Sequence, residues 1–308
     1  IIDMGTNTFH LLIAEAREGD YVIIRRDRLA VKLGMGGINQ SIITPEGAHR
    51  ALVAMQSFKN AIDEANVQEV FAFGTSAMRN AANGRAVADQ IKQVTGITVN
   101  IITGDEEAEY IYHGVNAALD LGSETSLIVD IGGGSVEFII GNRSAIFWKI
   151  SMEIGAQRLL EKFHRHDPIT AQELDALYAY FDETTGTLRQ AFAQFQPTVL
   201  VGSSGTFDTL SDIFCIQHHI HKTTEEIETP LSLEGFYEIF DLLKTKNRSE
   251  RMLVPGMLEM RVDMIVVACA LIDYILQKHT FHRIRVSTYS LKEGVLASFI
   301  DKRSHKAD

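Results

Sequence analysis

Cysteine is scarce. Two residues in 308, Cys215 and Cys269, limit the chain to one disulfide and rule out a paired-cysteine metal motif. Both read as inert small apolar residues, a usage that suits a reducing compartment. Basic charge is also in deficit, with 29 Lys and Arg against 40 Asp and Glu for a net charge of -11. A binder of long phosphate chains normally carries a basic stripe, so a broad nucleic-acid surface is not expected, although a local basic pocket remains open. No apolar run reaches membrane-spanning length, since even Met264 to Ile272 is followed at once by Asp273. Neither a low-complexity segment nor a secretory signal is visible, and a cytosolic protein is expected. The chain opens at Ile1, without a methionine, inside an expected strand whose first residues precede it.

What is present is a globular composition, 45% hydrophobic and 22% charged, long enough for two domains of ordinary size. One motif occurs twice, Asp3-Met-Gly-Thr-Asn-Thr8 and Asp130-Ile-Gly-Gly-Gly-Ser135. Each joins apolar runs and predicts a strand, a tight turn and a returning strand. Glycine at such a turn lets backbone N–H groups approach an anion with no Cβ in the way. An aspartate just before it adds a carboxylate, which beside a phosphate usually holds Mg2+ directly or through water.

Strands and helices alternate between and after these hairpins. Strand is predicted at 21–24, 29–31, 70–73, 99–102, 145–150, 198–201 and 284–287, with a turn at 34–37. Helices are predicted over 44–65, opened by Thr44 and Pro45, and over 84–95, 104–119, 155–163, 170–195, 257–278 and 291–299. The acidic run at 225–228 reads as a solvated loop. The two motifs lie 130 − 3 = 127 residues apart, so the expected fold is α/β, a duplicated domain. The division falls at 1–122 and 123–308, and a cleft between the halves is the natural site.

Four loops are expected to line that cleft: 3–8, 74–79, 130–135 and 202–206. Arg79, just after a strand, brings a guanidinium that can bind phosphate bidentately, or else forms a surface ion pair. Glu106 and Glu107 open a helix, where acidic residues are ordinary; one of them turned into the cleft could orient and deprotonate water. Glu137, two after Ser135 on the same strand face, can join Asp130 in a metal shell. The Cys215-x-x-His218-His219-x-His221 cluster lacks a partner cysteine and reads as a polar helix end rather than a zinc site.

Together these motifs, with Ile101 to Ala108, Gly202-Ser-Ser-Gly-Thr206 and Leu291-Lys-Glu-Gly-Val-Leu296, resemble the exopolyphosphatase and guanosine pentaphosphate phosphohydrolase family, Ppx/GppA. That family lies within the acetate and sugar kinase, Hsp70 and actin superfamily. The resemblance spans nearly the whole chain and implies two ribonuclease H-like, actin-like ATPase domains flanking the cleft, with helical insertions in the second and the terminal helix packing back on the first. It implies Glu107 as the base that activates water, with Arg79 beside it. The implied Mg2+ or Mn2+ sits near Asp130 and Glu137, with Asp3. Phosphate is expected on Gly5, Thr6, Asn7, Thr75, Gly132, Gly133, Gly134, Ser135, Gly205 and Thr206. The implied reaction removes the terminal phosphate of inorganic polyphosphate or guanosine pentaphosphate, with guanosine tetraphosphate as a further ligand and a homodimer as the assembly.

The sequence departs from the family pattern at Glu109 and Lys292, where relatives carry arginine; the first is expected to cost the cleft a positive group. The chain also matches the short, two-domain form. Two other readings stay open: a kinase-like phosphotransferase with ATP between the hairpins, and a non-catalytic guanosine-phosphate sensor.

Overall fold

The computed structural model describes residues 1–17, 20–223 and 225–304. Its first sheet holds β1 (Ile2–Met4), β2 (Thr8–Arg17), β3 (Asp20–Ala30), β4 (Ala72–Gly74) and β5 (Val99–Ile101) in the order β3-β2-β1-β4-β5. The first three strands run antiparallel, and β4 and β5 join parallel to β1. Helices α1 (Pro45–Glu64), α2 (Ser76–Asn80) and α3 (Gly84–Thr95) connect them, and α4 (Gly104–Ala118) leads onward. The start of α1 is fixed locally: the Thr44 hydroxyl accepts the Gly47 N–H, and Pro45 occupies a position whose N–H would have no partner.

The second sheet holds β6 (Ser126–Ile131), β7 (Val136–Gly141), β8 (Ile146–Met152), β9 (Val199–Ser203), β10 (Glu228–Thr229) and β11 (Arg283–Ser287) in the order β10-β11-β9-β6-β7-β8. From β8 inward it repeats the first sheet: three antiparallel strands, then two parallel ones, with β10 added at the far edge. The duplication is thus a duplication of strand order. Its helices are α5 (Ala156–Phe163), α6 (Ala171–Thr184), α7 (Gly186–Phe195), α8 (Ser204–Gln217), α9 (Leu233–Lys244), α10 (Arg248–Met252), α11 (Ile265–Lys278) and α12 (Leu291–Ser304). Strands β6 and β7 are buried along their whole length because both faces of the sheet are covered, which is why they read as unbroken apolar runs. The division proposed at 122/123 falls between α4 and β6.

Several expectations are revised. The helix expected at 257–278 begins only at Ile265, because Gly256 takes a positive φ of 93° after Pro255 and the chain winds through turns to Met264. The segment 202–206 is the end of β9 and the first turn of α8, not a loop. The helical stretch 170–195 is two helices meeting at Thr185, whose hydroxyl bonds back to Phe181 O. Glu228 of the acidic run lies in β10 and pairs with Arg285 at 2.6 Å. Cys215 is buried as a free thiol, and the His218 ring packs at a tilt against Phe214. Among the described residues no helix is long and apolar enough to cross a membrane.

Each sheet has its own core, and a third apolar cluster lies between them, built on α4 and α12 with Phe73, Ile128, Ile139 and Val201. Helix α12 returns from the end of the chain to pack along α4, and Phe299 packs on Phe71. The helices meet at backbone contact, because Gly114 and Gly294 face each other: a Cβ on Gly294 would overlap the Tyr110 carbonyl, and one on Gly114 the Ser290 carbonyl. Neither obstacle is a side chain that can swing away. Gly294→Ala is therefore expected to destabilise by at least the ~1–3 kcal/mol of an overpacked core. A chemical denaturation curve that moves less than Gly96→Ala, whose position is open but has positive φ, would contradict this packing.

Candidate active site

The glycine-rich turns of the two sheets face each other and touch. A Cβ on Gly133 would stand 2.9 Å from Asn7 Nδ2, and one on Gly134 2.5 Å from Thr6 Oγ1. Glycine is required here for close approach, not for an unusual φ. Around this contact lies a cleft lined by both turns, Thr75 and Ser76.

The second turn's carbonyls are already taken. Gly155, Ala156 and Gln157, at the start of α5, donate their N–H groups to Gly134 O, Gly132 O and Gly133 O at 3.1, 2.9 and 2.8 Å. In the first turn, Thr6 O and Asn7 O accept from Gly34, Val31 and Lys32. The N–H groups of Thr6, Asn7, Gly133, Gly134 and Ser135 have no acceptor among the described residues. Both turns thus spend their acceptors on the scaffold and keep their donors for an anion. Asn7 adds to this: its Nδ2 reaches only the Met264 thioether, a weak acceptor, and its buried Oδ1 is unpaired.

Opposite these donors stand acids. Buried Glu107, Asp130 and Glu137 and half-buried Asp3 all line the cleft. Helix α4 explains why Glu107 points inward. Thr103 and Glu106 form a reciprocal capping box, which fixes the first turn and holds Glu106 at the exposed edge, and the next residue around the helix faces the cleft. Glu107 accepts from Arg79 Nη1 at 2.7 Å; the same Nη1 also reaches Ile102 O, and Nη2 reaches Glu153. Burial outweighs the Arg79 contact and pushes the Glu107 carboxyl up to about 8, with Asp3 and Asp130 adding to the rise. Glu137 is driven well up by burial and by Glu107 and Asp130, against a bond from Ser151 Oγ at 2.6 Å. Asp130 is also raised by burial, although Ser203 and Ser290 both donate to its Oδ2.

Asp3 is raised to about 7 by burial and by Asp130 and Glu293, opposed by Lys292. Its folded pKa lies above the unfolded one, so the folded state holds the proton more tightly. Ionisation then costs stability as pH rises from about 4 through 7. Asp3→Asn should therefore raise the thermal midpoint at pH 8 and leave it almost unchanged near pH 4, by an amount that solvent screening trims at this half-buried position. A midpoint lowered at both pH values would remove the strain from this carboxylate.

Of the residues expected at the site, Asp3, Gly5, Thr6, Asn7, Thr75, Glu107, Asp130, Gly132, Gly133, Gly134, Ser135 and Glu137 line the cleft, and Arg79 joins them through Glu107. Gly205 and Thr206 do not. They form the first turn of α8, Gly205 lies directly against the Arg261 guanidinium, and Ser204 reaches the wall instead. Glu109, expected to alter the cleft, is paired outside it with Lys149 at 2.6 Å. Arg261, His10 and Ser290 also line the wall and were not named from the sequence: Arg261 comes from a segment without a motif, whereas His10 and Ser290 stand beside motifs, His10 opposite Asp3 on the returning strand and Ser290 just before Leu291.

The model of the Ppx/GppA phosphatase family matches residues 12–303. The chain belongs to this family. A solved family relative, an exopolyphosphatase from Cytophaga hutchinsonii, is 44% identical with a TM-score of 0.95 over 98% of this chain and 97% of that one. The Ppx/GppA family member from Aquifex aeolicus is 25% identical with a TM-score of 0.79 over 98% and 97%. Among curated Ppx/GppA relatives, the guanosine-5'-triphosphate,3'-diphosphate pyrophosphatase of Photobacterium profundum is 26% identical across 99% of this chain. The chain spans 59% of that relative's length.

Proposed function

We propose that this chain is a divalent-metal-dependent phosphoanhydride hydrolase that removes the terminal phosphate of inorganic polyphosphate. The observation that carries the reading is the Glu107–Arg79 pair, 2.7 Å apart, at a cleft where two glycine-rich turns present free N–H groups. Similarity to the 44% identical exopolyphosphatase supports polyphosphate as the first substrate of this reading. Guanosine pentaphosphate is the second substrate, on the names of the curated relatives.

The donors of Thr6, Asn7 and Gly133 to Ser135 would hold the terminal phosphate and its neighbour. Arg79 would meet the equatorial oxygens of the transferring group with its planar fork. Water attacks the terminal phosphorus in line, the bridging P–O bond breaks, and the water proton passes to Glu107. A carboxyl raised by burial is a better base for that proton than an exposed one.

The residues fit a hard cation. The cleft-lining carboxylates are pushed up first by burial, with neighbouring carboxylates adding to the rise at Asp3, Glu107 and Glu137, so a cation beside them would favour their ionised forms. Mg2+ or Mn2+ keeps several waters and takes one or two carboxylates plus phosphate oxygens, so it needs no closed cage of protein ligands. Asp130 and Glu137, with Asp3 behind them, would hold it, and it would neutralise charge on the phosphate oxygens.

Phosphate release from polyphosphates of several lengths and from guanosine pentaphosphate, with Mg2+, Mn2+ or EDTA, tests this. Release is expected with either cation, fastest on polyphosphate and abolished by EDTA. No release from any substrate would sink the hydrolase reading, whereas phosphate transfer from ATP to an added acceptor would replace it with a kinase.

A further inference from the structure

Glu153 lies in the link between β8 and α5, outside the cleft wall, with its side chain 38% exposed. Its carboxylate nevertheless holds three groups of the site. Oε1 accepts from Arg79 Nη2 at 3.3 Å, and Oε2 accepts from Ser76 Oγ at 2.7 Å and from Arg158 Nη2 at 2.9 Å. Ser76 and Arg79 follow β4 of the first sheet, whereas Glu153 and Arg158 follow β8 of the second. Arg158 is buried and spends its remaining donors on Gly134 O at 2.8 Å and Ile38 O at 2.7 Å. One run of charge-assisted bonds therefore leads from Glu107 through Arg79, Glu153 and Arg158 to the second glycine-rich turn.

A half-exposed Glu–Arg pair alone contributes little. What matters is which edge of Arg79 it holds. With Glu107 as its only carboxylate, the guanidinium would turn both nitrogens onto it and cover the group that must take a proton. Glu153 accepts from Nη2 while Ile102 O accepts from Nη1, so Nη1 alone meets Glu107. The Ser76, Arg79 and Ile38 contacts all cross between the two halves, so separating the halves would free Arg79 from Glu153 and leave it on Glu107 and Ile102 O alone.

We infer that Glu153 is a positioning residue for the hydrolysis: it aligns Arg79 with the base and the second phosphate turn, and does so only while the two halves are closed on each other. The inference rests on the reading of Glu107 and Arg79 given above.

A double-mutant cycle on kcat for polyphosphate tests it, using wild type, Glu153→Gln, Arg79→Ala and the double variant, with end-labelled substrate for the slow members. Glutamine keeps the size and one acceptor oxygen and removes the charge. Glu153→Gln is expected to lower kcat about ten-fold with KM within about two-fold, and to change kcat by less than about two-fold once Arg79 is alanine. Glu153→Asp, which keeps the charge on a shorter arm, should recover part of the loss. Equal fold-losses in both backgrounds, tracking a lowered thermal midpoint, would make Glu153 merely structural and overturn the inference, as would a Glu153→Gln enzyme with wild-type kcat. Either result with Arg79→Ala impaired strikes this inference alone. An inactive wild type, or an Arg79→Ala enzyme of normal activity, removes the underlying reading and this one with it.

Discussion

Replacing Glu107 with glutamine is expected to lower kcat for phosphate release by about 10²–10⁴-fold, the usual contribution of a positioned general base, with little change in KM. Glutamine preserves the size of the side chain and an oxygen for Arg79 Nη1, so the loss reports on proton acceptance rather than on packing. The pH profile separates the base from a bystander. Burial pushes the Glu107 carboxyl up to about 8, so the ionised form that can accept a proton grows as pH rises through neutrality. Wild-type kcat/KM should therefore climb between about pH 6 and pH 9, and the glutamine variant should be low and flat over the same range. A variant that keeps the wild-type slope would assign the proton to another group. Glu137, also raised and close to Glu107 in the same cleft, would be the next to replace.

The glycine turns were legible in the sequence because their chemistry is local. Strand, turn and returning strand are contiguous, and the 127-residue spacing of Asp3 and Asp130 carries the duplication that the repeated strand order displays. The choice between Glu106 and Glu107, which rested on the family resemblance alone, had a local basis that went unused. Thr103 with Glu106 three residues on is a capping-box signature, and recognising it assigns Glu106 to the helix end and leaves Glu107 for the cleft. Other features were not readable. Arg261 reaches the wall through turns after Gly256, a segment whose apolar spacing imitates a helix. Glu153 and Arg158 have no motif, and their importance arises only when β8 and α5 come to rest against Ile38 and Arg79 of the other half. The loop expected at Gly205 and Thr206 was misread for the opposite reason. A Gly-Ser-Ser-Gly-Thr run has the composition of a phosphate loop, but here its second glycine is a helix position pressed against a guanidinium.

Arg79→Ala should lower kcat by about 10²–10³-fold, the cost of losing a preorganised donor at the transferring phosphate. Arg79→Lys should recover only part of this, because an ammonium restores the charge but not the fork that spans Glu107, Ile102 O and Glu153. A second effect follows from the same contact and has a definite sign. The guanidinium is what holds the Glu107 carboxyl down against its burial, both by charge and by hydrogen bond. Without it the base must become harder to ionise, so the rising limb of the pH profile should move to higher pH in Arg79→Ala and by less in Arg79→Lys. At neutral pH the variant would then lose activity twice, once from the missing donor and once from a base that is more fully protonated, and raising the pH should restore only the second part. A profile that falls uniformly, with its limb unmoved, would mean that Arg79 serves the phosphate alone and that its contact with Glu107 does not persist in the enzyme at work.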